Sequence, residues 1–224
     1  MMVVMVSYLV IGMEIVSAFE RNAEEYDRWY HEEPGSLIFE SEVKAIDVLG
    51  CEGYGVEVGV GTGFFSSRLG IPLGLDPALQ MINMAKKRGI DVIRAVGEFL
   101  PIKSNCLDYI LFVFTICFLR DLRVSLKEAY RVLKPRGSIV VGFISRDSEW
   151  GELYSKKKSE GHRFYKDANF YSVKEIEEAL ECVRFKSTKR VATLSQEPEA
   201  VTTIEEPSSN VDQRGFVCIK AIKR

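Results

Sequence analysis

The stretch EVGVGTGFF, residues 57–65, holds three glycines at alternate positions, Gly59, Gly61 and Gly63, behind the acidic residue Glu57. Glycine adopts backbone conformations that other residues avoid, and it lets another molecule approach the main chain closely. The apolar run before these glycines is typical of a short buried strand. We therefore expect a strand that ends in a tight turn against a ligand. A dinucleotide, a phosphate group and an adenosyl sulfonium are all compatible with such a turn.

The residues around the glycines disfavour two of these ligands. A P-loop requires Gly-Lys-Ser/Thr five residues after its first glycine, and no such lysine follows Gly59. The dinucleotide fingerprint requires glycine at its first, third and sixth positions. Counted from Gly59, the sixth position is Phe64, which cannot provide the close helix–strand contact of a glycine. The pattern that remains is E-x-G-x-G-x-G, from Glu57 to Gly63.

The order of apolar patterns predicts the fold class. Five short apolar runs alternate with segments whose apolar residues recur at helical spacing. This alternation predicts an α/β protein with a parallel sheet covered by helices on both faces. Two further strand-like runs, 185–194 and 215–224, leave no room for a crossover helix between them. We expect this pair to be antiparallel and to lie at one end of the sheet.

The ends of several helices are also predicted. Apolar spacing indicates one helix from Ile15, closed by Pro34 and Gly35, and a second over about 37–49. The sequence SVKE at 172–175 is a capping-box pattern, which predicts the start of a later helix.

Composition excludes several classes of protein. The chain has 224 residues, of which 46% are hydrophobic and 28% charged, and its net charge is −2. Such a balance is ordinary for a soluble globular protein, and we expect no nucleic-acid partner. The five cysteines are scattered without a C-x-x-C pair, so we predict neither a metal site nor disulfides, but reduced thiols in a cytoplasmic protein. No pattern predicts an oligomeric state.

The opening MMVVMVSYLVIGM is apolar but about a dozen residues long, too short to span a bilayer. It also lacks the basic region and cleavage site of a signal peptide. Two alternatives stay open: an extra strand or arm packed on the body, or a native start at Met13.

Several ordered motifs together resemble a known family. AVGEFLP at 95–101 is similar to the family's GDAEELP, and EAYRVLKPRGSIVV at 128–141 is similar to EIYRVLKPGGRLVI. FERNAEEYDRWY at 19–30 resembles a helix that closes over the cofactor. With the glycine stretch, these motifs resemble class I S-adenosylmethionine-dependent methyltransferases of the type 11 branch, which includes ubiquinone and menaquinone methyltransferases. The resemblance covers roughly 19–144 well and the C-terminal third weakly.

The resemblance implies a Rossmann-like, doubly wound, mostly parallel sheet of seven strands that binds S-adenosylmethionine. It implies one domain over 1–224, with an N-terminal helical cap in 1–50, a cofactor-binding core in 51–145, and acceptor-side helices and C-terminal strands in 146–224. No membrane association is expected.

The resemblance also implies roles for individual residues. Glu57 is expected near the methionine amino group, and Asp76, at the end of the second strand, near the ribose hydroxyls. A carboxylate suits a diol because it only accepts hydrogen bonds and can take two donors. The alternative for Asp76 is an N-cap of the next helix, with Pro77 in its first turn. The implied cofactor-binding residues are Glu57, Gly59, Gly61, Thr62, Gly63, Asp76, Pro77, Gly97, Glu98 and Thr115.

The sequence departs from the family at two places. The acidic residue that usually receives the adenine amino group is replaced by Val96, so backbone groups near Gly97 and Glu98, or the Glu98 carboxylate, are expected to hold adenine. Cys117 stands where relatives often carry a histidine, and Thr115 is the only clear hydroxyl nearby.

The predicted reaction is methyl transfer to a small-molecule acceptor. His31 and His162 are both expected on the solvated surface, so no histidine base is predicted, and an amine acceptor is favoured because it already carries its lone pair. Tyr26 and Thr115 are the catalytic candidates, although the spacing of Tyr26 fits a packing face equally well. Two alternatives stay open: a non-catalytic S-adenosylmethionine-binding regulator and a nicotinamide-dependent oxidoreductase.

Overall fold

The computed structural model describes residues 14–224, and within them seven strands form one sheet with the order β3-β2-β1-β4-β5-β7-β6. The strands are β1 (Gly55–Val58), β2 (Leu73–Asp76), β3 (Asp91–Arg94), β4 (Leu107–Val113), β5 (Leu133–Ile144), β6 (Phe185–Thr193) and β7 (Phe216–Lys223). The helices are α1 (14–21), α2 (Ala23–Trp29), α3 (Gly35–Asp47), α4 (Phe64–Leu69), α5 (Leu79–Lys87), α6 (Leu122–Val132), α7 (Glu149–Ser159) and α8 (Val173–Cys182).

Strands β1 to β5 are parallel, and the two C-terminal strands are antiparallel, as the sequence predicts. The last strand, β7, does not lie at the edge. It inserts between β5 and β6 and pairs antiparallel with both. The predicted fold class is therefore confirmed, including a mostly parallel sheet of seven strands with helices on both faces.

Strand β4 lies at the centre of the sheet, and this position explains why its sequence is apolar from Tyr109 to Val113. Ile110 and Phe112 point to the face covered by α6 and α8, whereas Leu111 and Val113 point to the face covered by α3 and α7. Because both faces are buried, the alternation of polar and apolar residues that marks a half-exposed strand is absent here.

The N-terminal region differs from the prediction. The single helix predicted from Ile15 is interrupted at Asn22, whose side-chain amide donates to Ala18 O at 2.7 Å. Gly35 does not close this helix but begins α3, which starts two residues earlier than predicted. A Cβ atom on Gly35 would lie 2.0 Å from Trp29 O, so only glycine permits this close passage of the chain. Both alternatives for the opening segment concern residues outside the described range.

The predicted capping box is confirmed at the start of α8. Ser172 Oγ accepts from Glu175 N at 3.1 Å, and Glu175 Oε2 accepts from Ser172 N at 2.8 Å. Within residues 14–224, no helix has the length and apolar character needed to cross a membrane.

We predict that Ser172→Ala lowers the free energy of unfolding by about 1 kcal/mol, because the mutation leaves a helix-terminal N–H without its partner. Chemical denaturation of the two proteins measures this difference. The control is Ser209→Ala, which removes an exposed hydroxyl outside any helix or strand. Equal stability of the Ser172 variant and the wild type would contradict a stabilising cap.

Candidate functional site

The glycine turn follows β1, and each of its three glycines has a positive φ: +74° at Gly59, +54° at Gly61 and +90° at Gly63. Their surroundings differ. A Cβ on Gly59 would lie 2.2 Å from Thr115 Oγ1. A Cβ on Gly63 would clash with Ala85 of α5 and with Ile90, which follows that helix. At Gly61 the nearest atom to such a Cβ is Tyr26 Cε1 at 3.8 Å, an ordinary van der Waals distance, so the chain itself leaves room for a methyl group here.

Asp76 ends β2 beside the glycine turn. Its Oδ2 accepts from Gly61 N at 3.0 Å and its Oδ1 accepts from Ala78 N at 2.9 Å. Helix α5 begins at Leu79 with Ala78 as its N-cap residue, so the alternative that Asp76 caps this helix is wrong. Pro77 accordingly precedes the helix and does not lie in its first turn. Burial raises the pKa of Asp76 to about 6.

Glu57 is buried at the end of β1, where it accepts a hydrogen bond from Ser66 Oγ at 2.5 Å. Burial raises the pKa of this carboxyl to about 8, against the opposing effect of the Ser66 hydrogen bonds. Glu57 and Thr62 line a small cavity beside the main one, and the buried Thr62 Oγ1 has no hydrogen-bond partner within the described residues.

A cavity of about 500 Å³ opens over the carboxyl ends of the parallel strands. It borders Asp76 and Gly61 near β2 and also Phe143 and Trp150 near β5 and α7. Because β1 and β4 lie between β2 and β5 in the sheet, the cavity crosses four strand ends. Ligands of doubly wound folds bind at this edge of the sheet. The predicted site residues on its wall are Tyr26, Gly59, Gly61, Asp76, Pro77, Gly97, Glu98 and Thr115.

The loop after β3 forms the wall where adenine is predicted. Val96 is partly exposed and lines the cavity, which leaves an apolar surface at the position of the missing acid. Gly97 packs against Leu119, since a Cβ there would lie 2.8 Å from Leu119 Cδ2. Glu98 Oε1 accepts from Arg120 N at 2.7 Å and from Asp121 N at 3.3 Å, so this carboxylate joins the loop to the start of α6.

The loop after β4 carries Thr115 and Cys117. Thr115 Oγ1 lies 2.8 Å from Val58 O and 3.0 Å from Val113 O, so its single proton is already used by backbone carbonyls. Burial raises the pKa of the Cys117 thiol to about 12, and its Sγ donates to Phe114 O at 3.1 Å. Neither side chain is thus placed to take a proton from an acceptor at neutral pH.

Helix α2 covers the glycine turn. Tyr26 lines the cavity, and its hydroxyl lies 2.8 Å from the Tyr30 hydroxyl. Burial raises the pKa of Tyr26 well above its usual value, so it stays a neutral phenol. Arg88 joins this helix to the turn, since its Nη2 donates to Asp27 Oδ2 at 3.0 Å and its Nη1 to Thr62 O at 2.9 Å.

The two histidines differ in position. His31 is exposed, 3.5 Å from Asp27, and does not line the cavity. His162 was expected on the solvated surface, but it is half-buried at the cavity wall and stacks on Tyr165 with ring centroids 4.9 Å apart. Burial lowers its pKa, and the neighbouring Lys157 and Arg163 act in the same direction.

Sequence reasoning missed a group of residues at the β5 end of the cavity. These are Glu42 of α3 together with the aromatic residues Trp150, Tyr154 and Tyr165. The sequence does contain an indication of Glu42. This charged residue lies four residues after Ile38 and four before Ile46, so it interrupts the buried apolar face of α3. In residues 14–224, His, Cys, Asp and Glu side chains form no group of three that could hold a metal ion.

The chain matches the family model of the type 11 methyltransferase domain over residues 56–141. An uncharacterised protein of Methanocaldococcus jannaschii is 40% identical over 93% of this chain and 100% of the relative. A C-methyltransferase of ubiquinone and menaquinone biosynthesis from Rickettsia prowazekii is 44% identical over 69 residues, 27% of this chain and 28% of the relative.

One solved structure, from Thermotoga maritima, is similar over nearly the whole chain. It is described as an S-adenosylmethionine-dependent methyltransferase and possible histamine N-methyltransferase. Its identity is 38% over 94% of this chain and 100% of that chain, with a TM-score of 0.89. The sheet order, the glycine turn and these similarities lead to one conclusion: the chain belongs to the type 11 branch of the S-adenosylmethionine-dependent methyltransferases, and its cofactor is S-adenosylmethionine.

Proposed function

We propose that this enzyme transfers a methyl group to the nitrogen of a small amine. The observation that carries the proposal is the composition of the cavity, which joins the Asp76 and Gly61 region to a chamber of aromatic and apolar side chains. A phenol or carbon acid needs a general base, for which His162 is the neutral imidazole on the described wall, whereas a neutral amine needs none. The description of the Thermotoga relative as a possible histamine N-methyltransferase is consistent with this choice.

The residues on the Asp76 side fit the cofactor. An ionised carboxylate has about four lone-pair sites, and two of those on Asp76 accept from Gly61 N and Ala78 N, which leaves capacity for the two ribose hydroxyls. An added Cβ on Gly61 meets no atom closer than Tyr26 Cε1 at 3.8 Å, which leaves room for the cofactor against the main chain. We assign the apolar wall at Val96 to the adenine ring, with Gly97 and Pro77 beside it.

The other predicted contacts are assigned from their positions. We assign Glu57 and Thr62, which share the small adjoining cavity, to the methionine end of the cofactor. The packing of Gly63 against α5 accounts for that glycine without a ligand, and its contact with the cofactor stays a prediction. Glu98 is already bonded to two backbone N–H groups, so we favour backbone groups over its carboxylate for adenine.

The proposed mechanism relies on alignment and exclusion of water. The cofactor supplies an electrophilic methyl group on a sulfonium sulfur. Tyr26 and the rest of α2 cover the glycine turn and shield this region from solvent, and Thr115 fixes the end of β4 against the end of β1. Holding two reactants in line in this way supplies much of the rate enhancement of such displacements. The family assignment leaves no support for the oxidoreductase or the non-catalytic regulator.

We predict that the enzyme forms S-adenosylhomocysteine with histamine or 2-phenylethylamine faster than with 2-phenylethanol. The two phenyl compounds differ only in the nucleophilic group, so the comparison isolates the chemistry of the acceptor. Mass analysis of the product identifies the methylated atom. Turnover confined to the alcohol, or to phenols added to the same screen, would show that nitrogen is not the acceptor.

We predict that Gly61→Ala weakens S-adenosylhomocysteine binding by about tenfold or more, since the added methyl group occupies space assigned to the ligand and overpacking costs roughly 1–3 kcal/mol. The matched control is Gly70→Ala, whose glycine also has a positive φ, +69°, and has no atom within 4 Å of an added Cβ. Titration calorimetry measures affinity, and thermal melting measures stability. Both variants should lose similar stability, and equal affinity in the two would place the ligand elsewhere.

We predict that the affinity for S-adenosylhomocysteine falls as the pH is lowered through about 6, the pKa of Asp76. Above this pH the carboxylate is ionised and accepts from both hydroxyls, and below it protonation removes acceptor capacity. Loss of a hydrogen bond to a charged group, worth roughly 1.5–3 kcal/mol, together with a pKa of about 6, corresponds to an increase in Kd of about five- to tenfold between pH 7.5 and 5.

The Asp76→Asn variant is the control for this pH dependence. It should bind weakly at both pH values, because an amide offers one acceptor oxygen. A pH step that persists in Asp76→Asn would assign the titration to another group.

A further inference from the structure

Glu42 is an acidic residue on the buried face of α3. Only 1% of its surface is exposed, and it forms part of the cavity wall. Its Oε2 has no hydrogen-bond partner among residues 14–224. Buried polar atoms in proteins are nearly always hydrogen-bonded, and those left unpaired call for an explanation.

The side chains around Glu42 do not supply a positive charge. The groups whose pKa the Glu42 charge raises are Tyr26 and Tyr30 of the N-terminal region, Tyr154 of α7 and Cys218 of β7. All four are neutral at neutral pH because burial raises their pKa values. Burial is also the only influence on the pKa of Glu42, which it raises, and no cation of the described chain opposes it.

Aromatic rings enclose the same part of the cavity. Trp150 and Tyr154 stack with an interplanar angle of 11°, and Tyr165 meets Tyr154 edge to face with ring centroids 4.7 Å apart. Aromatic faces attract organic cations, and this attraction strengthens where water is excluded. The wall thus combines a carboxyl group that lacks a donor with rings that favour positive charge, and Tyr154 already has Lys157 Nζ 4.8 Å from its ring centroid.

We propose that Glu42 binds a protonated nitrogen of the methyl acceptor other than the atom that is methylated, so that the acceptor is a small organic cation with an aromatic or apolar body and a separate neutral nucleophile. This inference rests on the proposed function, because it assigns the aromatic end of the cavity to the acceptor. A cationic N–H group supplies the donor that Oε2 lacks and the charge that keeps the carboxylate ionised. The aromatic rings contact the apolar body of the same molecule.

The cost of leaving Glu42 unpaired supports a role in binding. A buried carboxyl without a partner destabilises the fold, and an apolar residue of similar size at this position of α3 would pack with Ile38 and Ile46. Glu42→Gln and Glu42→Met are therefore expected to melt at the wild-type temperature or above it. Either variant then serves as a folded test protein.

The test uses titration calorimetry of the full chain saturated with S-adenosylhomocysteine. The cationic probes are 2-phenylethylamine and histamine, and the neutral probe is 2-phenylethanol. We expect the wild type to bind at least one amine tenfold or more tightly than the alcohol. In Glu42→Gln this preference should disappear, while the alcohol binds as before. The control Glu32→Gln removes the same charge at the exposed rim of the cavity and should keep the preference.

The outcomes separate this inference from the proposed function. Equal binding of amine and alcohol by the wild type, no binding of either amine, or an unchanged preference in Glu42→Gln each overturns the role of Glu42. Affinity of Glu42→Gln for S-adenosylhomocysteine should match the wild type. If neither protein binds S-adenosylhomocysteine, the failure belongs to the proposed function.

Discussion

The site depends on two hydrogen bonds that hold the turn after β1 to the ends of the neighbouring strands β2 and β4. On one side Gly61 N donates to Asp76 Oδ2, which joins the turn to the end of β2. On the other, Thr115 Oγ1 donates toward Val58 O and packs where a Cβ of Gly59 would lie, which joins the turn to the end of β4. Three neighbouring strand ends are thereby held in one arrangement, and the floor of the cavity is their common edge.

The features that sequence analysis predicted correctly are those specified by local pattern. Strand β4 is recognisable because a strand buried on both faces has a run of apolar residues, here Tyr109 to Val113, and the capping box at Ser172 involves residues three apart. The turn was predictable because its glycines adopt positive φ values, which depend on the main chain itself. The proximity of Asp76 to this turn also follows from topology, since consecutive parallel strands end at one edge.

The features that were missed depend on contacts between distant parts of the chain. Gly35 looked like a helix terminator, but it is required by the passage of the Trp29 carbonyl. His162 looked like part of a polar loop, but it stacks on Tyr165 inside the wall. The chamber near β5 joins α2, α3, α7 and the segment after α7, and no periodicity in any one of them indicates that they meet. Only Glu42, a charged residue within the apolar face of α3, indicates from the sequence where this chamber lies.

Three acidic side chains lie around the two adjoining cavities, the buried Glu42 and Glu57 and the half-buried Asp76, and burial raises the pKa of each. The chain supplies some hydrogen-bond donors to Glu57 and Asp76 but no close cation to any of the three in residues 14–224. The cofactor carries an ammonium and a sulfonium group, and the proposed acceptor is also a cation. Both ligands would meet carboxylates of opposite charge in these cavities. The same burial that destabilises these carboxyls in the free protein strengthens their attraction for a positively charged ligand, because water no longer screens it. The buried carboxyls therefore lower the stability of the free protein, and the same groups provide the selectivity for cations that we assign to the cavity.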